Sequence, residues 1–362
     1  MRYPLFILPL MTFSFFCCQQ IPGIEPPLAA SLHTSVASTS DSTRSEKAVS
    51  DRKLVIRSLD GGQTWEDVST GIPKDVLAGH IMAQENEVLL AGDGLYRLSN
   101  NDAALKWEKD FFWKDEITGI FPGKKGPYFC KLGAGFYREI PQTGVWVAMH
   151  ETLPDPFVRA VLETSNGVLL AGCNSGIYKS TDDGKHWKRV FEGEMILRFA
   201  EADGILLGGG QRGLLRSTDS GEHWDRVLSE EAAIRKIDRS NNRLLALSND
   251  IRPWQDALAD KNEVINTLRF SDDGGKTWQG MNDAFRSLRF IYRPHADISP
   301  SWIINDIQQA GKYLFCSLDA GIFRSSDQGK SWQLVYEADV PDWIAQLTVC
   351  DGVIYAVLSA GC

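Results

Sequence analysis

The chain has 362 residues, a formal net charge of −9 and 43% hydrophobic residues, enough apolar material for a large core in one or two domains. An acidic balance of this size excludes nucleic-acid binding by bulk electrostatics, because phosphate contact needs a basic face. The seven cysteines fit no metal spacing such as C-x-x-C, so neither a metal nor any other cofactor is expected.

Residues 1–18 read MRYPLFILPLMTFSFFCC. One Arg precedes an apolar run from Leu5 to Phe16, too short for an ordinary membrane span and of the form of an export signal peptide. Cys17 and Cys18 at its end are candidate lipidation sites of a bacterial lipoprotein signal. Simple cleavage near Ala29-Ala30 is the alternative. Residues 19–52 are rich in Ser, Thr, Ala and Pro and read as a disordered linker that holds a globular body away from a membrane or wall. The expected location is periplasmic, cell-surface or secreted, with a membrane tether if a lipid is attached.

From Lys53 to Cys362 one unit recurs. Its signature is Ser-x-Asp-x-Gly-x-[Thr/Ser/His]-Trp, present five times as SLDGGQTW, STDDGKHW, STDSGEHW, SDDGGKTW and SSDQGKSW. The fixed residues are Ser58, Asp60, Gly62 and Trp65; Ser180, Asp182, Gly184 and Trp187; Ser217, Asp219, Gly221 and Trp224; Ser271, Asp273, Gly275 and Trp278; Ser325, Asp327, Gly329 and Trp332. Each copy lies between two short apolar runs, which predicts strand, turn, strand. Ser and Asp accept hydrogen bonds from the turn, Gly supplies a positive φ, and Trp returns a large apolar surface to the sheet.

This pattern resembles the Asp-box, or BNR repeat, of the sialidase superfamily, sortilin-like receptors and photosystem II assembly-factor-like propellers. The resemblance implies that the boxes are structural turns remote from any ligand site. Their carboxylates are then not acid/base pairs, and His186 and His223 are not metal ligands.

Two degenerate copies, ending at Trp107 and Trp146, fill the gap between the first and second boxes. Trp positions 65, 107, 146, 187, 224, 278 and 332 are spaced by 37 to 54 residues, the period of a propeller blade. Seven inner strand pairs are expected near 80–91, 117–131, 157–171, 196–208, 233–247, 303–317 and 344–358. The chain begins with an outer hairpin at 54–67 and ends with an inner pair. The two complete one blade and leave no open sheet edge. The expected fold is all-β, a seven-bladed β-propeller of four-stranded antiparallel blades closed by N- and C-terminal strands sharing one blade. Six blades is the runner-up. In this repeat Cys173 and Cys362 share one position and Cys130 and Cys316 another. These cysteines, with Cys350, read as buried small hydrophobes.

Binding in a propeller uses the face where the second-to-third strand loops and the blade-to-blade loops gather. Two of these loops are long. Asn249 to Asn266 carries Arg252 and Trp254. Gln279 to Trp302 carries FRSLRFIYRPH, with Arg286, Arg289, Tyr292, Arg293 and His295. Arginine forks suit carboxylate or phosphate, and aromatic rings suit sugars or peptides. The bland alternative is a packed insertion whose arginines pair with local acids. Asp110 to Trp113, Asp155, Phe157, Asp342 and Trp343 also fall on this face.

No Arg-Ile-Pro motif precedes the first box, and seven blades disagree with the six of sialidases. Asp93, Asp306 and Asp319 could approach the channel, but nothing in the sequence pairs them as a glycosidase needs. No catalytic residue is assigned. The expected function is a non-catalytic, monomeric, extracytoplasmic binding or assembly propeller for a protein or carbohydrate ligand. The alternative is a glycoside hydrolase, sialidase-like or other.

Overall fold

The computed structural model describes residues 53–360, apart from 75, 77, 85–86, 100–104, 111–112, 114–116, 142, 230–231, 241–242, 251–265, 282–303, 319–320 and 338–342. The expected leader (1–18) and linker (19–52) lie outside the described residues. All regular structure in that set is strand: seven antiparallel sheets of four strands each. Blades 1 to 6 occupy 78–109, 119–148, 158–192, 196–229, 232–280 and 306–337. Blade 7 joins Trp343–Cys350 and Val353–Ala360 to Val55–Ser58 and Glu66–Asp67. Its seam pairs Val55 with Val357 and Ser58 with Ile354. The seventh complete sheet excludes the six-bladed runner-up.

Each blade puts its first strand against the first strand of the next, from blade 1 round to blade 7 and back. These strands therefore line the central channel. The sequence forms strands here because its short runs are rich in β-branched and aromatic residues, as in Phe136-Tyr137-Arg138-Glu139-Ile140. The second strands are the exception. Leu169–Cys173, LLAGC, is buried throughout because it is covered on both faces.

The core is seven separate layers, each between adjacent blades. Leu54, Tyr355 and Val357 of blade 7 pack on Val88, Leu90 and Trp107 of blade 1. Tyr128 and Phe136 of blade 2 pack on Val161 and Leu169 of blade 3. Polar clamps run round the outside. The basic residue near the end of a third strand reaches the outer part of the next blade: Arg97 to Glu139 of its third strand, and, in its box turn, Lys179 to Glu222, Arg216 to the Gly274 carbonyl and Arg324 to the Gly61 carbonyl.

Cys130, Cys173 and Cys316 are free, and all three are fully buried. Burial pushes each thiol well above its ordinary value. The register corrects both proposed repeat equivalences. Cys130 pairs with Phe136, one residue past Gly135, whereas Cys316 pairs with Phe323, two past Gly321. The position Cys173 holds opposite Gly176 belongs in blade 7 to Leu358, whose N–H donates to the Leu54 carbonyl.

Candidate functional site

The five boxes share one hydrogen-bond pattern. The Ser hydroxyl donates to the Asp Oδ1 at 2.8–2.9 Å and accepts the Gly N–H at 2.7–3.0 Å. Asp Oδ1 also takes the backbone N–H four residues on. Asp Oδ2 is engaged by the side chain of that same residue: Thr64, His186, His223, Thr277 or Ser331. The imidazoles of His186 and His223 thus stand where a hydroxyl stands in the other copies. These donors hold each Asp carboxyl below its ordinary value. The turn glycines carry φ of 78–86° and lie against the preceding blade, Gly184 on Met149 and Gly221 on Leu170. Among the described residues no group of three metal-binding side chains occurs.

The other notable chemistry sits in the channel, at the end where the blade-to-blade loops enter. The first strands of blades 1, 3, 4 and 5 each carry a register shift there, between Ala78/His80, Val158/Ala160, Ile196/Arg198 and Ile234/Lys236. A bulge sets two residues against one on the partner strand and re-aims their side chains. The residues so placed include His80, Arg159, Arg198, Arg235 and Lys236, on an otherwise acidic protein.

Lys236 Nζ lies 2.9 Å from Asp306 Oδ1 of blade 6. Asp306 also accepts the N–H groups of Ile307 and Leu347, at 2.8 and 2.9 Å. Arg159 Nε donates to Asn174 Oδ1 at 3.0 Å. Arg198 donates to the Leu197 carbonyl. Among the described residues neither Arg198 nor Arg235 has a carboxylate partner within ion-pair reach. Burial, and then the neighbouring Arg235, bring Arg198 down to about 10. Burial, with Arg198 and Arg235 adding to it, brings His80 down to about 4. Further along the blade 5 strand, burial pushes the Asp238 carboxyl up to about 6.

The sequence-predicted loop residues Arg252, Trp254, Arg286, Arg289, Tyr292, Arg293 and His295 lie outside the described residues. Phe111, Phe112, Asp319 and Asp342 are likewise outside. Trp113 is core, packed edge-on to Phe129 and Trp146 and tilted against Tyr137. Asp155 is buried and receives Ser175 N–H and Oγ at 2.9 and 2.6 Å. Phe157 is exposed beside it.

Sequence reasoning passed over the channel cations. A signal existed, a basic residue directly after an apolar one at the start of an inner strand, in Val158-Arg159, Leu197-Arg198 and Ile234-Arg235.

The BNR/Asp-box repeat family matches residues 269–279. Xyloglucanase Xgh74A of Acetivibrio thermocellus is 28% identical over 146 residues, 39% of this chain and 15% of that protein, so the chain spans a small part of that relative. Similar solved structures include YCF48 bound to D1 peptide (TM-score 0.54, 12% identity, 85% of this chain and 98% of that one). An ancestral GH74 enzyme has TM-score 0.54 and 14% identity over 84% of this chain and 45% of that one. At such identities the likeness is one of fold. With five boxes on seven closed four-stranded blades, the chain is an Asp-box (BNR-repeat) β-propeller.

Proposed function

We propose that this chain is an exported, non-catalytic binding or scaffold propeller that takes a protein or glycan ligand on its channel-mouth face, tethered to a membrane when Cys17 or Cys18 is lipidated. One observation carries the reading. The mouth presents cations from three blades, while its carboxylates Asp306 and Asp155 are already engaged by Lys236, Ser175 and backbone N–H groups. A hydrolase of glycosidic bonds needs two free carboxyls facing one bond, whereas a recognition surface needs unpaired donors.

The second reading is a glycoside hydrolase. It is favoured by the partial similarity to a xyloglucanase and by Asp238, a carboxyl held near 6 in the same channel as Asp306.

The test is capture of ligands by the immobilised chain from a glycan array and from extracellular protein extract. Two variants run beside it, Arg198→Gln/Arg235→Gln and Arg286→Ala/Arg289→Ala/Arg293→Ala, with melting as the folding control. The expected result is specific capture, weakened roughly tenfold or more in at least one folded variant, about 1.4 kcal/mol. Release of sugar from xyloglucan oligosaccharides that Asp306→Asn abolishes would replace the binding reading with the hydrolase.

A further inference from the structure

We propose that the channel mouth is a site for a compact multivalent oxyanion, of the phosphate or polycarboxylate kind, gripped by Arg159, Arg198 and Arg235 with His80 at its side. The inference rests on the reading that this face binds ligands, and it names the chemistry the face takes.

Three geometric facts support it. First, the cations come from different blades, so their convergence is a product of the ring and not of one strand's composition. Arg159 belongs to blade 3, Arg198 to blade 4 and Arg235 to blade 5, with the neutral imidazole of His80 added from blade 1. Second, each stands at or beside a register shift in its strand. A regular ladder would aim these side chains at the neighbouring sheets; a bulge turns them. Third, the charge is left open. Arg235 has no hydrogen bond or ion pair among the described residues, and Arg198 has a backbone carbonyl alone. The nearest acid, Asp306, is taken up by Lys236 and two backbone N–H groups.

Guanidinium groups that share a protein-walled channel without carboxylate partners repel one another, and the low-dielectric wall strengthens that repulsion. The lowering of Arg198 by Arg235, and of His80 by both, is the same repulsion seen from each group. A bound oxyanion relieves it. Guanidinium forks match the paired oxygens of phosphate and carboxylate. Lys236 is met by Asp306 and by Asp238 further along its own strand, which leaves the guanidinium groups of Arg159, Arg198 and Arg235 on three blades. An anion with several oxygens and two or more charges can engage more than one of them. Arg235 is exposed while Arg198 and His80 are half-buried, so the anion has an entry from solvent and a deeper seat.

The experiment uses the full chain at pH 7.5. Thermal melting is measured with inorganic phosphate, citrate or acetate against sodium chloride at matched ionic strength, on the native protein and on Arg198→Gln/Arg235→Gln. The expected result is a rise of about 2–4 °C with phosphate or citrate at roughly ten times the dissociation constant. Acetate should give less than half of that, and the variant no rise. Whichever of phosphate and citrate shifts more identifies the kind. A rise of equal size in both proteins is general exclusion of the salt from protein surface and would overturn the site, as would no rise in the native protein. If the double variant does not fold, Arg235→Gln alone is read by broadening of the phosphate ³¹P resonance, and broadening equal to that of the native protein would overturn the proposal. Phosphate and citrate need no macromolecular partner. A site that fails this test while array or extract capture persists leaves the binding function standing.

Discussion

Arg138 in blade 2 donates to both carboxylate oxygens of Asp183 in the box turn of blade 3, at 2.5 and 3.1 Å. Arg138 pushes Asp183 below the ordinary carboxylate range, with Lys125 adding to the effect. The bond joins residues on separate sheets, so it ties blade to blade where hydrophobic packing gives way to solvent. A double-mutant cycle of Arg138→Gln and Asp183→Asn should give a coupling of about 1 kcal/mol by chemical denaturation. A depressed carboxyl stabilises above its unfolded value and loses that contribution as pH falls through its folded value. The coupling should therefore be intact at pH 7 and shrink at the acid end, below about pH 4.

Asp238 titrates in the opposite sense. Its carboxyl is held near 6 by burial, and Oδ2 has no hydrogen-bond partner. A carboxyl raised above its unfolded value takes its proton in the folded state first, so stability is greater below the window and falls as pH rises from about 4 to 6. Asp238→Asn should flatten that slope and raise stability at pH 7 by on the order of 1–3 kcal/mol, with little change at pH 4. Denaturation midpoints across pH 4–7.5 for the two proteins check this.

Gly62 stands at φ 82°, and a Cβ there would meet Phe315 of blade 6 at 2.6 Å. Gly62→Ala combines a left-handed backbone with a clash against a fully buried ring. The expected loss is about 2–3 kcal/mol, read as a lowered denaturation midpoint. Gly167, also at positive φ but with nothing within 4 Å, should lose about 1 kcal/mol on the same change.

His186 and His223 act as donors to box carboxylates. His186→Thr should keep the bond and change stability by less than about 0.5 kcal/mol, while His186→Ala should cost about 1 kcal/mol. Added zinc should not shift the melting of any of the three. A zinc-dependent rise lost in His186→Thr would give this histidine a ligand role that its turn geometry does not suggest.

The architecture was legible because each box must satisfy the same donors in the same tight turn. Ser, Asp, Gly and Trp therefore survive at fixed spacing while the strands around them drift. Even the seam of blade 7 was legible, since an outer hairpin at one end and an inner pair at the other leave one solution without edges. The channel was not. Arg198 and Arg235 lie in inner strands whose side-chain direction depends on bulges, and a bulge is set by pairing with a distant strand rather than by local residue type. Cys130 and Cys316 were misaligned for a different reason: five residues join the second and third strands of blade 2, and two join those of blade 6. The loop arginines from Arg286 to Arg293 were easy to see in the sequence because they are clustered in it. The channel arginines are gathered from positions 159 to 235 only by the ring.

The seam has a consequence for the chain's order. Val55–Ser58 is held in blade 7 by pairing with Val353–Ala360, and no peptide bond crosses that line. The ring is thus indifferent to where the polypeptide is cut, provided every sheet keeps four strands. A permutant that joins Ala360 to Lys53 by a short turn and opens the chain between Asn174 and Ser175, in the corresponding loop of blade 3, would rebuild the same seven sheets with blade 3 as its clasp.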